Sequence, residues 1–278
     1  MYCLRIGLRT LGSNWIICTF INILGQIVKI SFYLINLDSS VERLQQADAE
    51  LRKHNIEYER ISAVDGRQLD VKTYSNYDSV QANKLMGRDL LGGEIGCYLS
   101  HLRCIERFLA SESDYVVVLE DDLEITSNIH SALEAGIGWL AQNQPHWYLI
   151  NICSHKRKIS RTLNHFDKHD LLKAYYFPVL TLGLVWSRQG AQNFINEFSK
   201  INMPIDVTLQ SWLTNNSHGY SFYPPLMQPN GAESDIAQAI TKKNAHTSMQ
   251  MRNGKRLPRQ KRMWSNKLKA LKNLVLYK

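Results

Sequence analysis

Residues Tyr115–Asp122 read Y-V-V-V-L-E-D-D, an apolar run that stops in three adjacent carboxylates, Glu120, Asp121 and Asp122. No other stretch constrains the fold as much. An unbroken apolar run has no polar side to turn toward water, so it predicts a strand covered on both faces. Open α/β sheets bind ligands outside the carboxyl ends of their strands, where these acids are expected. Like charges in a row repel one another and resist desolvation. A cation would hold them, and hard divalent ions such as Mg2+ or Mn2+ take carboxylate and phosphate oxygens together. The competing reading is a solvated acidic turn, with Glu124 opening a helix.

The flanking segments alternate between strand and helix patterns. Ile30–Leu37, I-S-F-Y-L-I-N-L, predicts a first core strand. Ser39 and Glu42 then form a capping-box pattern for a helix carrying Val41, Leu44, Ala47 and Leu51 on one side. Tyr58–Val64 reads as a short strand closed by the turn pair Asp65-Gly66. Residues 67–90 are polar and irregular and read as a loop or lid. Gly92-Gly93 introduces a helix from Glu94 to Leu109, followed by the acidic strand. Trp147–Ile152 and Thr181–Ser187 are further strands, the second leading into a helix from Arg188 to Phe198. This alternation predicts an α/β fold, a mostly parallel sheet with helices on both faces.

Five cysteines (Cys3, Cys18, Cys97, Cys104, Cys153) include no C-x-x-C pair. Their odd number speaks against a disulfide framework or a zinc cluster and fits a reducing cytosol. Cys97 and Cys104, seven apart, read as small apolar fillers on one helix face. Charge is uneven. Residues 241–278 hold 12 Lys or Arg and no acid, leaving 21 basic and 25 acidic residues in the rest. The pI near 9.2 therefore describes a tail. Trp15–Val28 follows Arg5 and Arg9 and is apolar, but it contains Asn22 and Gln26 and is shorter than the roughly 20 residues that cross a bilayer. It ranks as a dispensable extension ahead of an interfacial anchor or a signal anchor. The expected divisions are an N-terminal extension at 1–28, a catalytic domain at 29–240 and a basic tail at 241–278.

Several polar residues fall at strand ends: Asn36 and Asp38, then Asp65, then the acidic triplet. Each alone suits a turn or cap. Together they would line one sheet edge, the usual place for a nucleotide. Neither G-x-G-x-x-G nor G-x-x-x-x-G-K-[ST] occurs, which speaks against the usual dinucleotide fold and the P-loop. In Gly93–His101, G-E-I-G-C-Y-L-S-H, two glycines flank Glu94, and Ser100-His101 follow on the same predicted helix. A tight helix start capped by Glu94 explains the segment equally well.

Asn36-Leu37-Asp38 with Arg43, Ala63-Val64-Asp65-Gly66, the Gly93–His101 run and Leu119-Glu120-Asp121-Asp122, in this order, resemble glycosyltransferase family 25. Gly183–Ala191, Pro204-Ile205-Asp206 and Ser234-Asp235-Ile236 are also similar to it, so the resemblance runs from Lys29 to Ala239. It implies a GT-A-like fold, a UDP-sugar donor and Mn2+ or Mg2+ on Glu120, Asp121 and Asp122. Asp122 leads for direct metal contact, and the roles of the other two stay open. It further implies that Asn36, Asp38, Arg43, Asp65 and His101 face the donor. Inverting transfer needs a general base, for which Asp206, Asp235 and Glu94 are candidates; Asp206 and Asp235 could equally be helix caps.

In the tail, Trp264, Leu268, Leu271 and Val275 recur at i, i+4, i+7 and i+11, with Lys269 and Lys272 off that stripe. Such a helix suits either a membrane surface or packing on the body. Nucleic acid is not expected, since no reading motif accompanies the basic residues. The expectation is a cytoplasmic glycosyltransferase, peripheral to the inner membrane through its basic tail. It would move a hexose, galactose from UDP-galactose, with inversion onto lipooligosaccharide. The competitors are a metal-dependent phosphohydrolase or phosphoryl-transfer enzyme and a non-catalytic membrane- or nucleic-acid-associated binding protein.

Overall fold

A computed structural model describes residues 17–21, 27–71, 73–231 and 256–276. Strands β1 (Ile17–Ile21), β2 (Ile27–Asn36), β3 (Glu59–Ser62) and β4 (Tyr115–Glu120) form one half of the main sheet. The other half holds β6 (Leu149–Asn151), β7 (Arg161–Phe166), β8 (His169–Lys173), β9 (Gly183–Ser187) and β10 (Gly219–Tyr223). The short strands β5 (Leu123–Ile125) and β11 (Met227–Pro229) pair separately beside it. The helices are α1 (Val41–Lys53), α2 (Ser79–Met86), α3 (Gly92–Leu109), α4 (Ile129–Asn143), α5 (Arg188–Glu197), α6 (Ile205–Asn216) and α7 (Arg256–Leu276).

Alternating side chains of β2 and β4 feed two separate cores. Phe32, Leu34, Val117 and Leu119 pack on α1 and α4 through Leu51, Leu133 and Ile137. Tyr33, Ile35, Val116 and Val118 point the other way, onto Ile95 and Phe108 of α3, Phe194 of α5 and Trp212 of α6. Both faces are covered, so a strand with no polar side is stable at the centre of the sheet.

The main order is β1-β2-β4-β9-β6-β10-β8-β7, with β3 beside the second half of β2. The α/β class and the helices on both faces are as expected, but strand direction differs. Among the described strands, only the pairs β2–β3, β2–β4 and β6–β10 run parallel. The pairs β1–β2, β4–β9, β6–β9, β8–β10 and β7–β8 are antiparallel, so the sheet is mixed, not mostly parallel. Buried strands of either direction carry the same apolar pattern, which hides the difference from the sequence. The β7–β8 hairpin was not foreseen, and Ile17–Ile21 of the expected extension forms an edge strand on β2.

Two further expectations are corrected. Part of the loop read at 67–90 is the helix α2, started by Asp78, whose carboxylate accepts from the Gln81 amide, and ended by Gly87 at φ 73°. Helix α1 follows Ser40 and has no side-chain cap, so the Ser39 capping box does not form.

Three glycines and one arginine place α3. A Cβ on Gly66 would lie 1.9 Å from the Gly92 carbonyl oxygen, and one on Gly92 would lie 2.0 Å from that of Gly66. A Cβ on Gly96 would meet the Val64 oxygen at 2.5 Å. The loop after β3 thus touches the first turn of α3 backbone to backbone. At the other end, Arg188 donates to the carbonyls of Leu109 (3.0 Å), Ser111 (2.8 Å) and Ser113 (2.5 Å), tying the α3–β4 connection to the start of α5.

Candidate active site

The parallel strands β2 and β4 end side by side, with Ile35 opposite Glu120. The chain bends at Asp121-Asp122 before β5 pairs with β11, so the acidic triplet sits on the turn out of the main sheet. A cleft opens there. Its walls include Asn36, Arg43, Asp65, Arg67, Gly93, Cys97, Ser100, His101 and all three acids. Seven residues expected from separate segments therefore share one cavity: Asn36, Arg43, Asp65, His101, Glu120, Asp121 and Asp122.

The three carboxylates differ in their partners. Glu120 Oε1 lies 3.1 Å from His101 Nε2 and accepts from the Thr181 hydroxyl at 2.6 Å. Burial pushes the Glu120 pKa up, but the hydrogen bond and charge of His101, with Thr181 and Arg43, outweigh it and leave it below the usual range. Asp121 accepts from Asn36 Nδ2 at 2.7 Å and is ion-paired with Arg43. Burial still raises its pKa, against the pull of Asn36 and Arg43.

Among the described residues no other side chain bonds or ion-pairs with Asp122, and only the charge of Arg43 and the Asp122 backbone amide favour its ionised form. Its Oδ1 is buried and accepts no hydrogen bond. Burial first, and then the charge of Glu120, lift its pKa to about 6. A buried carboxylate oxygen with nothing donating to it is costly, and a divalent cation coordinated through oxygen satisfies it. The arrangement fits such an ion on Asp122, with Glu120 and Asp121 held by protein groups. Cys97, His101 and Glu120 also bring ligand atoms within 4.8 Å of one another. They suit a metal poorly: burial pushes the Cys97 thiol well up, away from the thiolate a metal needs, and Glu120 is already bonded to His101.

The other expected residues fall differently. Asp38 is held by Arg60 (2.5 Å) and Ser62 (2.9 Å), outside the residues that line the cleft. The geometry does not bring it into the cleft: the carboxylate turns toward β3. Glu94 accepts both guanidinium nitrogens of Arg88, at 2.7 and 2.5 Å, and the Leu91 amide at 2.8 Å. Both of its oxygens are engaged, one by Arg88 and the other by Arg88 and the Leu91 amide at the start of α3, so neither is free to take a proton in this geometry. Asp206, in the first turn of α6, accepts from the Val207 amide at 2.8 Å, and burial raises its pKa. Asp235 lies outside the described residues. Asp65 caps the turn Gly66–Gln68 and takes Arg67 through both oxygens, at 2.8 Å each.

Thr181, Arg88 and Arg60 were not foreseen. Thr181 reaches Glu120 because β9 runs antiparallel to β4, so its beginning lies beside the end of β4. Only the direction of that strand would have shown the contact.

Residues 29–209 match Glycosyltransferase family 25 (LPS biosynthesis protein). The chain belongs to glycosyltransferase family 25. It is similar to the human protein named procollagen galactosyltransferase 2, at 28% identity over 63% of this chain and 29% of that one. A glycosyltransferase 25 family member of Anopheles gambiae is 30% identical over 66% of this chain and 32% of that protein. The chain therefore matches about a third of the length of these relatives. A human relative named inactive glycosyltransferase 25 family member 3 is 31% identical over 44% of this chain and 22% of that one.

Proposed function

We propose that this chain is a metal-dependent, GT-A-like glycosyltransferase that moves a hexose from a UDP-sugar. The carrying observation is the division of labour at the end of β4, where two carboxylates are paired within the protein and the third, Asp122, keeps an unsatisfied buried oxygen. Mn2+ or Mg2+ on Asp122 would act as a Lewis acid, offsetting charge on the departing diphosphate.

The remaining chemistry belongs to the chain. Asn36 and Arg43 hold Asp121 in place, while His101 and Thr181 hold Glu120, so the turn that carries Asp122 is fixed before a donor arrives. Such preorganisation favours the transition state over a mobile ground state. Arg43 and Arg67, both lining the cleft, add positive charge for phosphate oxygens. Among the described candidate bases, Asp206 alone has a carboxylate not engaged by a cation, and burial raises its pKa, the direction that strengthens it as a base.

Galactose as the donated sugar is supported by the name of the human relative procollagen galactosyltransferase 2, and a lipooligosaccharide acceptor by the family's description. The test supplies UDP-hexoses with Mn2+ and either truncated lipooligosaccharide or a procollagen peptide, with and without EDTA. UDP release that needs an acceptor and stops with EDTA is expected. Metal-independent release, or phosphate release without any sugar acceptor, refutes the reading. Asp206→Asn should lower kcat at least about 100-fold with the donor KM little changed.

A further inference from the structure

Helix α7 packs on the body the wrong way round for a core helix. Its inward face is mainly polar or small: Asn266 is 4% exposed and donates to the Ser211 hydroxyl, Asn273 donates to the Thr214 carbonyl, Arg262 donates to the Leu85 carbonyl, and fully buried Ala270 packs with Leu274 on Tyr175 and Tyr176. These contacts seat it across α6 and α2. The apolar stripe lies outside. Trp264, Leu268, Leu271 and Val275 are 64, 64, 47 and 67% exposed, and Leu257 continues the line toward the helix start. A helix that packs by hydrophobic burial turns its stripe to the core. This one is held by hydrogen bonds and a small apolar contact at Ala270 and Leu274, and it leaves the stripe in water.

At about 100° per residue, Lys261 and Lys272 fall on one side of the stripe and Lys267 on the other. Lys267 packs its ammonium 4.9 Å from the Trp264 ring. The helix has seven Lys or Arg and no acid. Exposed apolar residues in a row mark a surface meant to be covered, and the charges say by what. A second copy laid stripe to stripe would bring lysine rows together with no carboxylate on either helix to pair them. A bilayer rich in anionic lipid accepts both features: apolar side chains enter the headgroup boundary, Trp264 sits at that level, and lysines reach phosphates.

We propose that α7 is an interfacial docking helix, anchored to the body through Arg262, Asn266 and Asn273, that presents Trp264, Leu268, Leu271 and Val275 to an anionic membrane surface. Because α7 rests on α2 and α6, docking fixes how the body is oriented over the lipid. The proposal does not depend on the transferase reading, and its test reads binding alone.

The full chain is sedimented with vesicles of neutral phosphatidylcholine and with vesicles containing about 30% phosphatidylglycerol. Binding to the anionic vesicles is expected, with a blue shift of Trp264 emission that is lost in Trp264→Phe. Leu268→Ser with Leu271→Ser should weaken binding at least ~10-fold while circular dichroism and Tm stay unchanged, since both side chains are exposed. Lys261→Gln with Lys267→Gln and Lys272→Gln should remove most of the preference for anionic lipid. Anionic binding unchanged in the serine variant overturns the proposal, because the other basic residues would then suffice. So does a failure to bind either vesicle. A concentration-dependent dimer abolished by the serine variant overturns it in favour of a second copy.

Discussion

Replacing Asp122 by Asn should make the metal-free protein more stable at pH 7 while abolishing metal-dependent transfer. In the folded chain the Asp122 pKa stands at about 6, against an ordinary value of 3.8. The folded state therefore binds the Asp122 proton more tightly than the unfolded state does. Its stability falls as pH rises from about 4 to about 6, and the loss is complete above that window. Each tenfold change in proton affinity is about 1.36 kcal/mol, so the ionised carboxylate costs the fold roughly 3 kcal/mol at neutral pH. Partial exposure and the desolvation of the Asn amide reduce the expected gain in the variant to about 1–2 kcal/mol. Urea unfolding in EDTA from pH 4 to pH 8, for both proteins, measures it: the curves should separate with rising pH and converge at the acid end. Mn2+ should then stabilise the wild type and leave the variant unmoved, by linkage to the folded state. A variant less stable than wild type at pH 7 in EDTA would show that Asp122 makes a structural bond and would refute the metal assignment.

Other substitutions test the neighbours. Arg43→Met leaves the buried Asp121 without its cation and should cost about 2–4 kcal/mol in urea unfolding. Gly96→Ala places a methyl 2.5 Å from the Val64 oxygen and 2.8 Å from the Gly66 nitrogen, both backbone, and should lower stability by about 1–3 kcal/mol, read as a drop in Tm. Glu94→Gln breaks the two-pronged bond to Arg88 and should cost about 1–3 kcal/mol while kcat falls less than ~10-fold; a fall above ~100-fold with stability intact would restore Glu94 as a base.

The central strands and α3 were legible because their signals are local. Val116–Leu119 are all fully buried, as an unbroken apolar run implies. Direction was not legible, since β9 reads G-L-V-W-S and is buried throughout, as a parallel strand would be. The β7–β8 hairpin escaped because R-T-L-N-H-F and H-D-L-L-K carry little apolar content, its turn resting on Asp167 at φ 52°. In the site, residues that end strands were found, and their partners from distant segments, Thr181, Arg88 and Arg60, were not. The apolar stripe of α7 was visible at helical spacing, but which side of the helix faces the body depends on Asn266 and Asn273 meeting acceptors on α6.

The paired glycines Gly66 and Gly92 bear on how this chain can diverge. Each excludes a side chain on the other, and changing both adds atoms on both sides of one contact, so no order of substitutions eases the crowding. Sequence drift should leave this pair untouched while the exposed positions of the segment between them, away from Arg67, Leu85 and Arg88, change more readily. Distant members of the lineage would then be recognised by two fixed glycines bracketing a more variable segment, even where the acidic turn has been lost.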